Sequence, residues 1–233
     1  SLDDVANDNI VDRFNDGILS DPLTAAFSGT GGFVRVEQGA AITAATGGRV
    51  MLLAPDVENR GVISTPDGQT ILGAGQKVYL LDSEDPAGLL VEVDSGGTAT
   101  NLGEIVAKRG NVTLVGLAVN QQGRISASTS VRANGSIHLL ARDSAGMRYG
   151  EVTIGQGSET VVSAEADDKE EVLDAQDFTP SRVKIEGRNI EVDGYIEAKG
   201  GEVTLDAKLD VVGTGVPAQP DPGLKNRIYL GEH

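Results

Sequence analysis

The sequence predicts an all-β chain that winds as a right-handed parallel β-helix, with coils of roughly 21 residues. Three observations predict this fold: an ungapped internal repeat, a regular spacing of isoleucines, and a composition rich in glycine but poor in aromatic residues. The 233-residue chain contains 31 Gly, 4 Phe, 4 Tyr and no Trp. Such a composition suits a narrow core of Val, Ile, Leu and Ala rather than a wide globular core.

The internal repeat relates three stretches without a gap: Arg49–Ser64 (RVMLLAPDVENRGVIS), Asn111–Ser126 (NVTLVGLAVNQQGRIS) and Arg182–Glu197 (RVKIEGRNIEVDGYIE). Each copy pairs a V-x-L/I strand with a second strand, followed by a glycine and an isoleucine. We expect each set of equivalent residues to form a column through successive stacked coils. These sets are Val50, Val112 and Val183; Leu52, Leu114 and Ile185; Val57, Val119 and Ile190; Gly61, Gly123 and Gly194; and Ile63, Ile125 and Ile196.

The isoleucine that follows the glycine recurs at Ile42, Ile63, Ile105 and Ile125, in steps of 21, 42 and 20 residues. We interpret the step of 42 residues as two coils, the first of which passes through the loop Ser83–Gly88. Because stacked coils lie about 4.8 Å apart, these isoleucines are expected to form an interior ladder. Glycine is expected at the coil corner because a corner often needs a positive φ, which only glycine adopts without cost.

The regularity of the repeat also divides the chain into segments. An irregular, acidic initial segment is predicted over 1–28, and β-helix coils over 29–142. The pattern lapses over 143–180, which is predicted to be an insertion outside the coils and the expected contact surface, because loops on a rigid repeat commonly carry recognition. Further coils are predicted over 181–233, where the last strand has no cap and the chain is expected to be truncated.

The charge excludes several classes of partner. The net charge is −16, with 35 acidic against 19 basic residues. This argues against nucleic-acid binding and against electrostatic docking to an anionic membrane, and it favours solubility. The chain contains no Cys, which excludes disulfides and thiolate chemistry. No apolar run approaches about 18 residues, so no membrane insertion is predicted.

Catalysis on a β-helix would need paired carboxylates as general acid and base. The candidate pairs are Asp206 with Asp210 and Glu191 with Asp193, since residues at even spacing share one face of a strand. On a coil surface such pairs are far more often solvated residues. We therefore predict no catalytic residues and no enzymatic activity.

The two histidines, His138 and His233, lie far apart in the sequence. His138 alternates outward within SIHLLAR and is interpreted as an ordinary surface residue. No nucleophile motif, phosphate loop or Cys/His cluster is present.

A metal site is considered at the acidic run, where Asp167, Asp168, Glu170 and Glu171 offer the oxygen ligands that Ca²⁺ takes. The loop Asp94–Gly97 is a further source of ligands. However, neither the EF-hand spacing nor a G-G-x-G-x-D repeat occurs. We therefore interpret the run as a solvated loop and predict no metal and no cofactor.

Two long stretches, GGRVMLLAPDVENRGVISTPDGQTILGAGQKVYLL and NLGEIVAKRGNVTLVGLAVNQQGRISA, resemble the large filamentous-haemagglutinin-type exoproteins of Gram-negative bacteria. In that family G-G-x-V-x-L-x-A-P-x-V-x-N-x-G-x-I is followed by G-x-x-x-L-A-A-G-x-x-V-x-L. FTPSRVKIEGRNIEVDGYIEAKGGEVTLDA is similar to the same exoproteins, so the likeness covers about residues 28–212. The N-P-N-G and N-x-x-G motifs of the family's secretion domain do not occur in this chain.

The resemblance implies a segment of an adhesin that is exported by two-partner secretion and displayed on the bacterial surface. Its implied partners are an outer-membrane transporter, engaged through other parts of the protein, and a carbohydrate or cell-surface receptor. Family members attach to host cells, other bacteria or exopolysaccharide, and some deliver toxins. In this setting the chain would act as a rigid β-helical scaffold.

Two alternatives to the scaffold stay open. The first is a glycan-binding module, for which Tyr149, Phe178 and Tyr195 are the aromatic residues in or near the expected insertion. The second is a β-helical polysaccharide-active enzyme. Turnover on acidic polysaccharides would separate this enzyme from both binding roles.

Overall fold

The computed structural model describes residues 25–82, 89–129, 135–142, 149–164, 181–207 and 227–231. These residues form strands and turns without any helix, so the all-β prediction is confirmed, and they contain no helix long and apolar enough to cross a membrane. The strands are, in chain order, β1 (Phe27–Ser28), β2 (Phe33–Val36), β3 (Ala41–Thr43), β4 (Arg49–Ala54), β5 (Asp56–Asn59), β6 (Val62–Ser64), β7 (Gln69–Asp82), β8 (Leu89–Gly96), β9 (Thr98–Asn101), β10 (Glu104–Ala107), β11 (Asn111–Gly116), β12 (Ala118–Gln121), β13 (Arg124–Thr129), β14 (Ser136–Ala141), β15 (Glu151–Ile154), β16 (Glu159–Ala164), β17 (Arg182–Gly187), β18 (Asn189–Val192), β19 (Tyr195–Ala198), β20 (Glu202–Ala207) and β21 (Arg227–Leu230).

The strands are distributed over three parallel sheets in strict rotation. Sheet I runs β2-β5-β9-β12-β15-β18-β21, sheet II runs β3-β6-β10-β13-β16-β19, and sheet III runs β4-β7-β11-β14-β17-β20. The chain passes from sheet I to II to III and returns to sheet I one strand further along. Within the described residues β2 to β20 thus make six coils, and β21 begins the next. This arrangement is compatible with the predicted solenoid.

The pairing register places equivalent repeat positions in the same column. In sheet II, Ile105 pairs with Ile63 on one side and with Ile125 on the other, and all three side chains are fully buried. The ladder is interrupted at Thr160, which pairs with Ile125. Burial of each such apolar side chain stabilises the fold by about 1.5–3 kcal/mol. One continuous core therefore runs through all the coils; it includes Val57, Ile63, Leu72, Ile105, Leu114, Val119, Ile125, Leu139, Val152, Ile185 and Ile190.

The step of 42 residues from Ile63 to Ile105 is one coil, and its interpretation as two coils is wrong. The two isoleucines are direct neighbours in sheet II. The additional residues form an antiparallel hairpin in which β7, from Gly75 onward, pairs with β8, while β1 pairs antiparallel with β7. The loop Ser83–Gly88 lies outside the described residues. We call β1, residues 75–82 of β7 and β8 together the arm.

The arm packs against the outer face of sheet III. Its residues Val78, Val91 and Val93 form a second buried cluster with Ile71, Val115 and Leu140 of the sheet. As a result, β11 is buried along its whole length, with apolar contacts on both faces. Sheets that are covered on both faces read as nearly continuous apolar runs rather than alternating ones, which accounts for the sequence NVTLVG.

The predicted insertion over 143–180 is wrong for residues 149–164. Within this interval, β15 pairs in parallel with β12, and β16 pairs in parallel with β13. Val152, Ile154 and Val162 point inward and join the common core. These strands are therefore part of a regular coil, whereas 143–148 and 165–180 lie outside the described residues, as do residues 1–24 of the predicted initial segment.

The glycines between sheets I and II are required by close packing of successive coils, and the expected positive φ is wrong for them. A Cβ atom on Gly123 would lie 2.2 Å from the carbonyl oxygen of Gly103, and Gly123 has no positive φ. Positive φ occurs instead at the corner between sheets II and III, at Gly47 (76°) and Gly200 (65°).

Candidate functional site

A group of charged side chains is buried where the arm meets sheet III. Arg142, directly after β14, donates from Nε and Nη2 to the two carboxylate oxygens of Glu92 in β8, at 3.0 Å each. Its Nη1 donates to Oε2 of Glu186 in β17 at 2.8 Å. All three side chains are buried. We call Glu92, Arg142 and Glu186 the buried triad; its charge-assisted bonds link the arm to the coil stack.

Glu186 has a second cationic partner, the ammonium group of Lys184 on the same strand. Burial alone would raise the pKa of the Glu186 carboxyl group. The hydrogen bonds from Lys184 and Arg142, together with their charges, outweigh burial and lower this pKa to about 2. Glu186 is therefore ionised at neutral pH, as the pairing with Arg142 requires.

We expect the protein to lose stability as the pH falls from about 5 to about 2. A carboxyl group with a lowered pKa in the folded state contributes full stability above its unfolded value of 4.5, and this contribution is lost as the pH falls toward about 2. Urea unfolding across this interval should show a smaller loss for Glu186→Gln than for the wild type. Glu151→Gln, at an exposed site in β15, is the control and should retain the wild-type loss. Equal losses in all three proteins would contradict the role of Glu186.

Tyr149, one of the aromatic residues singled out for sugar stacking, lies beside this group. The guanidinium carbon of Arg188 is 3.8 Å from the centroid of its ring, which is a cation–π contact. One face of the Tyr149 ring is thus occupied by Arg188 and is not available to a sugar. Tyr195, in contrast, is exposed on β19, and Phe178 lies outside the described residues.

His138 and Ser136 form a hydrogen-bonded pair on the outer face of sheet III. The distance from His138 Nε2 to Ser136 Oγ is 3.2 Å, and Ser136 Oγ donates to Asn111 Oδ1 at 2.5 Å. A serine nucleophile needs a histidine nitrogen that accepts the hydroxyl proton. Here the hydroxyl proton is directed to Asn111, so Nε2 of His138 acts as the donor. The pair is arranged for structure and not for nucleophilic catalysis.

The predicted carboxylate pairs are not assembled into a site. Glu191 is exposed on β18 and Asp193 lies in the turn that follows. Asp206 is half-buried in β20, whereas Asp210 lies outside the described residues. His233 lies outside them as well.

The candidate metal ligands are not brought together either. The acidic run at 167–171 lies outside the described residues, and Asp94 of β8 lies 3.9 Å from the ammonium group of Lys77. Within the described ranges, no group of at least three His, Cys, Asp or Glu side chains is placed to hold a metal ion.

A ladder of amide side chains lines the interior corner between sheets I and II. Asn59 Nδ2 donates to Asn101 Oδ1 at 2.9 Å, and Asn101 Nδ2 donates to Gln121 Oε1 at 2.8 Å. Gln121 Nε2 in turn donates to the carbonyl oxygen of Gly123 at 3.1 Å. All three amide side chains are fully buried. The ladder satisfies polar groups of three successive coils along the axis of the stack.

We expect Asn101→Ala to lower the free energy of unfolding by about 2–4 kcal/mol, because it leaves buried groups of Asn59 and Gln121 without their partner. Asn120→Ala is the control on the neighbouring coil, since Asn120 is only partly buried and its amide lies 3.5 Å from the Thr100 hydroxyl. That control should change stability by no more than about 0.5 kcal/mol. Chemical denaturation of both variants measures the difference, and equal effects would refute the ladder's contribution.

Sequence reasoning missed both the buried triad and the amide ladder. The ladder has a recognisable signal, because Asn59, Asn101 and Gln121 each lie two residues before a corner glycine. The triad has no comparable signal: Glu92 belongs to the arm, and its distance from Arg142 along the chain is 50 residues.

Comparisons with known proteins identify no relative: no family model, no curated protein and no solved structure matches this chain.

Proposed function

We propose that the chain is a rigid scaffold segment of a secreted, surface-displayed bacterial adhesin, wound as a right-handed parallel β-helix. The observation that supports this most strongly is the continuous core shared by successive coils. In a solenoid each coil contacts its neighbours, so the stack is elongated and stiff. The amide ladder and the buried triad add directional bonds along the same axis.

The motif resemblance to filamentous-haemagglutinin-type exoproteins supports export by two-partner secretion. The proposed partners are an outer-membrane transporter and a carbohydrate or cell-surface receptor on host cells, other bacteria or exopolysaccharide. Nucleic acid does not fit, since a net charge of −16 repels phosphates.

A non-enzymatic role is favoured over a polysaccharide-active enzyme. In the described residues, Ser136 directs its proton away from His138, and Glu191 is exposed without a second carboxylate arranged across a substrate site. A glycan-binding module is less well supported, because the exposed rings of Tyr195 and Tyr229 lie on different sheets and do not form a joint platform.

Rigidity can be tested with pairs of spin labels, because the chain contains no Cys of its own. Arg35, Thr153 and Glu191 lie in one outward column of sheet I. At about 4.8 Å per coil, we expect narrow distance distributions near about 19 Å for Arg35→Cys with Thr153→Cys, and about 24 Å for Arg35→Cys with Glu191→Cys. Broad distributions, or distances that do not increase between the two pairs, would contradict a rigid scaffold.

The adhesin and enzyme roles separate in two assays on the purified chain. A glycan and exopolysaccharide array reports binding, and incubation with acidic polysaccharides reports cleavage. The scaffold role is supported by rigid spacing without turnover, and saturable binding would place receptor recognition within this segment. Turnover that persists in repurified protein would overturn the non-enzymatic proposal.

A further inference from the structure

The two ends of the coil stack present unpaired strand edges. Among the described residues, β2, β3 and β4 each pair with a strand on one side only, and so do β19, β20 and β21 at the other end. Unpaired edges offer rows of backbone donors and acceptors to an added strand. Both ends of the stack are therefore suited to strand addition.

The apolar interior is open at the end formed by β19, β20 and β21. Val203 continues the inward column of the fully buried Val183, and Ile228 continues that of the fully buried Ile190. Val203 is nevertheless 41% exposed, Ile228 44% and Leu230 71%. Interior side chains at this end remain in contact with water, and covering them would be favourable.

Sheet I extends one strand beyond the other two sheets at this end. β21 pairs only with β18 within the described residues, and all four of its residues are exposed. β19 and β20, one coil earlier, have no strand beyond them. A whole added coil can therefore cover β19 and β20 only if its first strand takes the place of β21.

The first coil of the same chain has the pattern that this end requires. If β2 replaces β21, Val34 takes the inward position of Ile228, and β3 and β4 then lie against β19 and β20. In the shared register, Ile42 stacks on Ile196 and Val50 on Val203. Apolar columns would thus continue from one copy into the next.

Charges on the outer face of sheet III match in the same register. Arg49 of β4 and Glu202 of β20 occupy one column, through Gln69, Asn111, Ser136 and Arg182. Both end residues are exposed. A second copy would therefore place its Arg49 next to Glu202, an opposite-charge pair across adjacent strands.

We propose that a second copy of this chain docks on the open end, with its β2, β3 and β4 extending the three sheets and displacing β21. The contact joins two different surfaces, so it repeats from copy to copy and produces linear assemblies rather than closed dimers. β21 competes with β2 for the edge of β18 and thereby limits assembly.

The test is the concentration dependence of assembly of the full chain, measured by sedimentation velocity and light scattering. Arg49→Glu and Glu202→Arg should each raise the concentration for half-assembly by roughly tenfold, because each places like charges side by side. The double variant should restore the wild-type value. Arg124→Glu combined with Glu159→Arg is the control, since this exposed pair lies on the side of the stack, and it should leave assembly unchanged.

A second variant tests the competition by β21. Ile228→Asp weakens the docking of β21 and should lower the concentration for half-assembly, whereas Val62→Asp, at a side-facing residue that is 40% exposed, should not. Circular dichroism verifies that each variant keeps its strands. The proposal is overturned if the wild type and Ile228→Asp both remain monomeric, or if the double charge variant fails to restore assembly.

Discussion

Arg142→Met is expected to lower the free energy of unfolding by about 3–5 kcal/mol, as is typical when one partner of a buried ion pair is removed. Arg142 supplies the hydrogen bonds to both carboxylate oxygens of Glu92 and one of the bonds to Glu186. Without it, two buried carboxylates face each other with only Lys184 as a printed counter-charge on Glu186. Urea denaturation at neutral pH measures the loss.

Two further variants separate this effect from a general loss of charge. Arg124→Met removes an arginine whose Nε lies 3.2 Å from Glu159 on the exposed surface, and it should cost no more than about 1 kcal/mol. Adding Glu92→Gln to Arg142→Met should recover part of the loss, because it removes one unpaired buried charge. A loss for Arg142→Met no larger than that for Arg124→Met would show that the buried triad does not hold the arm.

Gly123→Ala is expected to cost about 3 kcal/mol or more, at the upper end of the range for overpacking. The added Cβ would lie 2.2 Å from the carbonyl oxygen of Gly103 in the preceding coil. A backbone oxygen cannot move aside as a flexible side chain can, so the two coils must separate locally. The separation would also stretch the ladder bond between Asn101 and Gln121.

Gly157→Ala provides the contrasting control for this prediction. Gly157 has a φ of +77°, and a Cβ atom there would meet nothing within 4 Å. The substitution should therefore cost only the conformational penalty of about 1–2 kcal/mol. If thermal and urea unfolding show a larger loss for Gly157→Ala than for Gly123→Ala, backbone conformation and not coil spacing governs the corner glycines.

The arm explains why both the fold and the candidate site differ in part from the sequence-based predictions. Residues 75–96 alternate apolar and polar side chains in the same way as a coil. In the structure they fold back as a hairpin, and their apolar side chains cover Ile71, Val115 and Leu140 on sheet III. The same hairpin brings Glu92 to Arg142, so the site exists only because the arm is not a coil.

The sequence by itself determined the class of the fold and the contents of its core. Alternation with period 2 specifies which side chains share a face, and the ungapped repeat specifies which of them stack. For this reason the columns that contain Val112, Ile105 and Val119 are found where the repeat places them.

Only the tertiary structure decided which strand lies next to which. Period-2 alternation is the same in a coil strand, in the arm and in β15 and β16, so it does not distinguish a coil from a hairpin or from an insertion. That choice depends on long-range contacts: the pairing of Ile63 with Ile105, the packing of Val93 against sheet III, and the bonds from Arg142 to Glu92. These contacts join residues far apart in the chain, and their energies arise only once the coils are stacked.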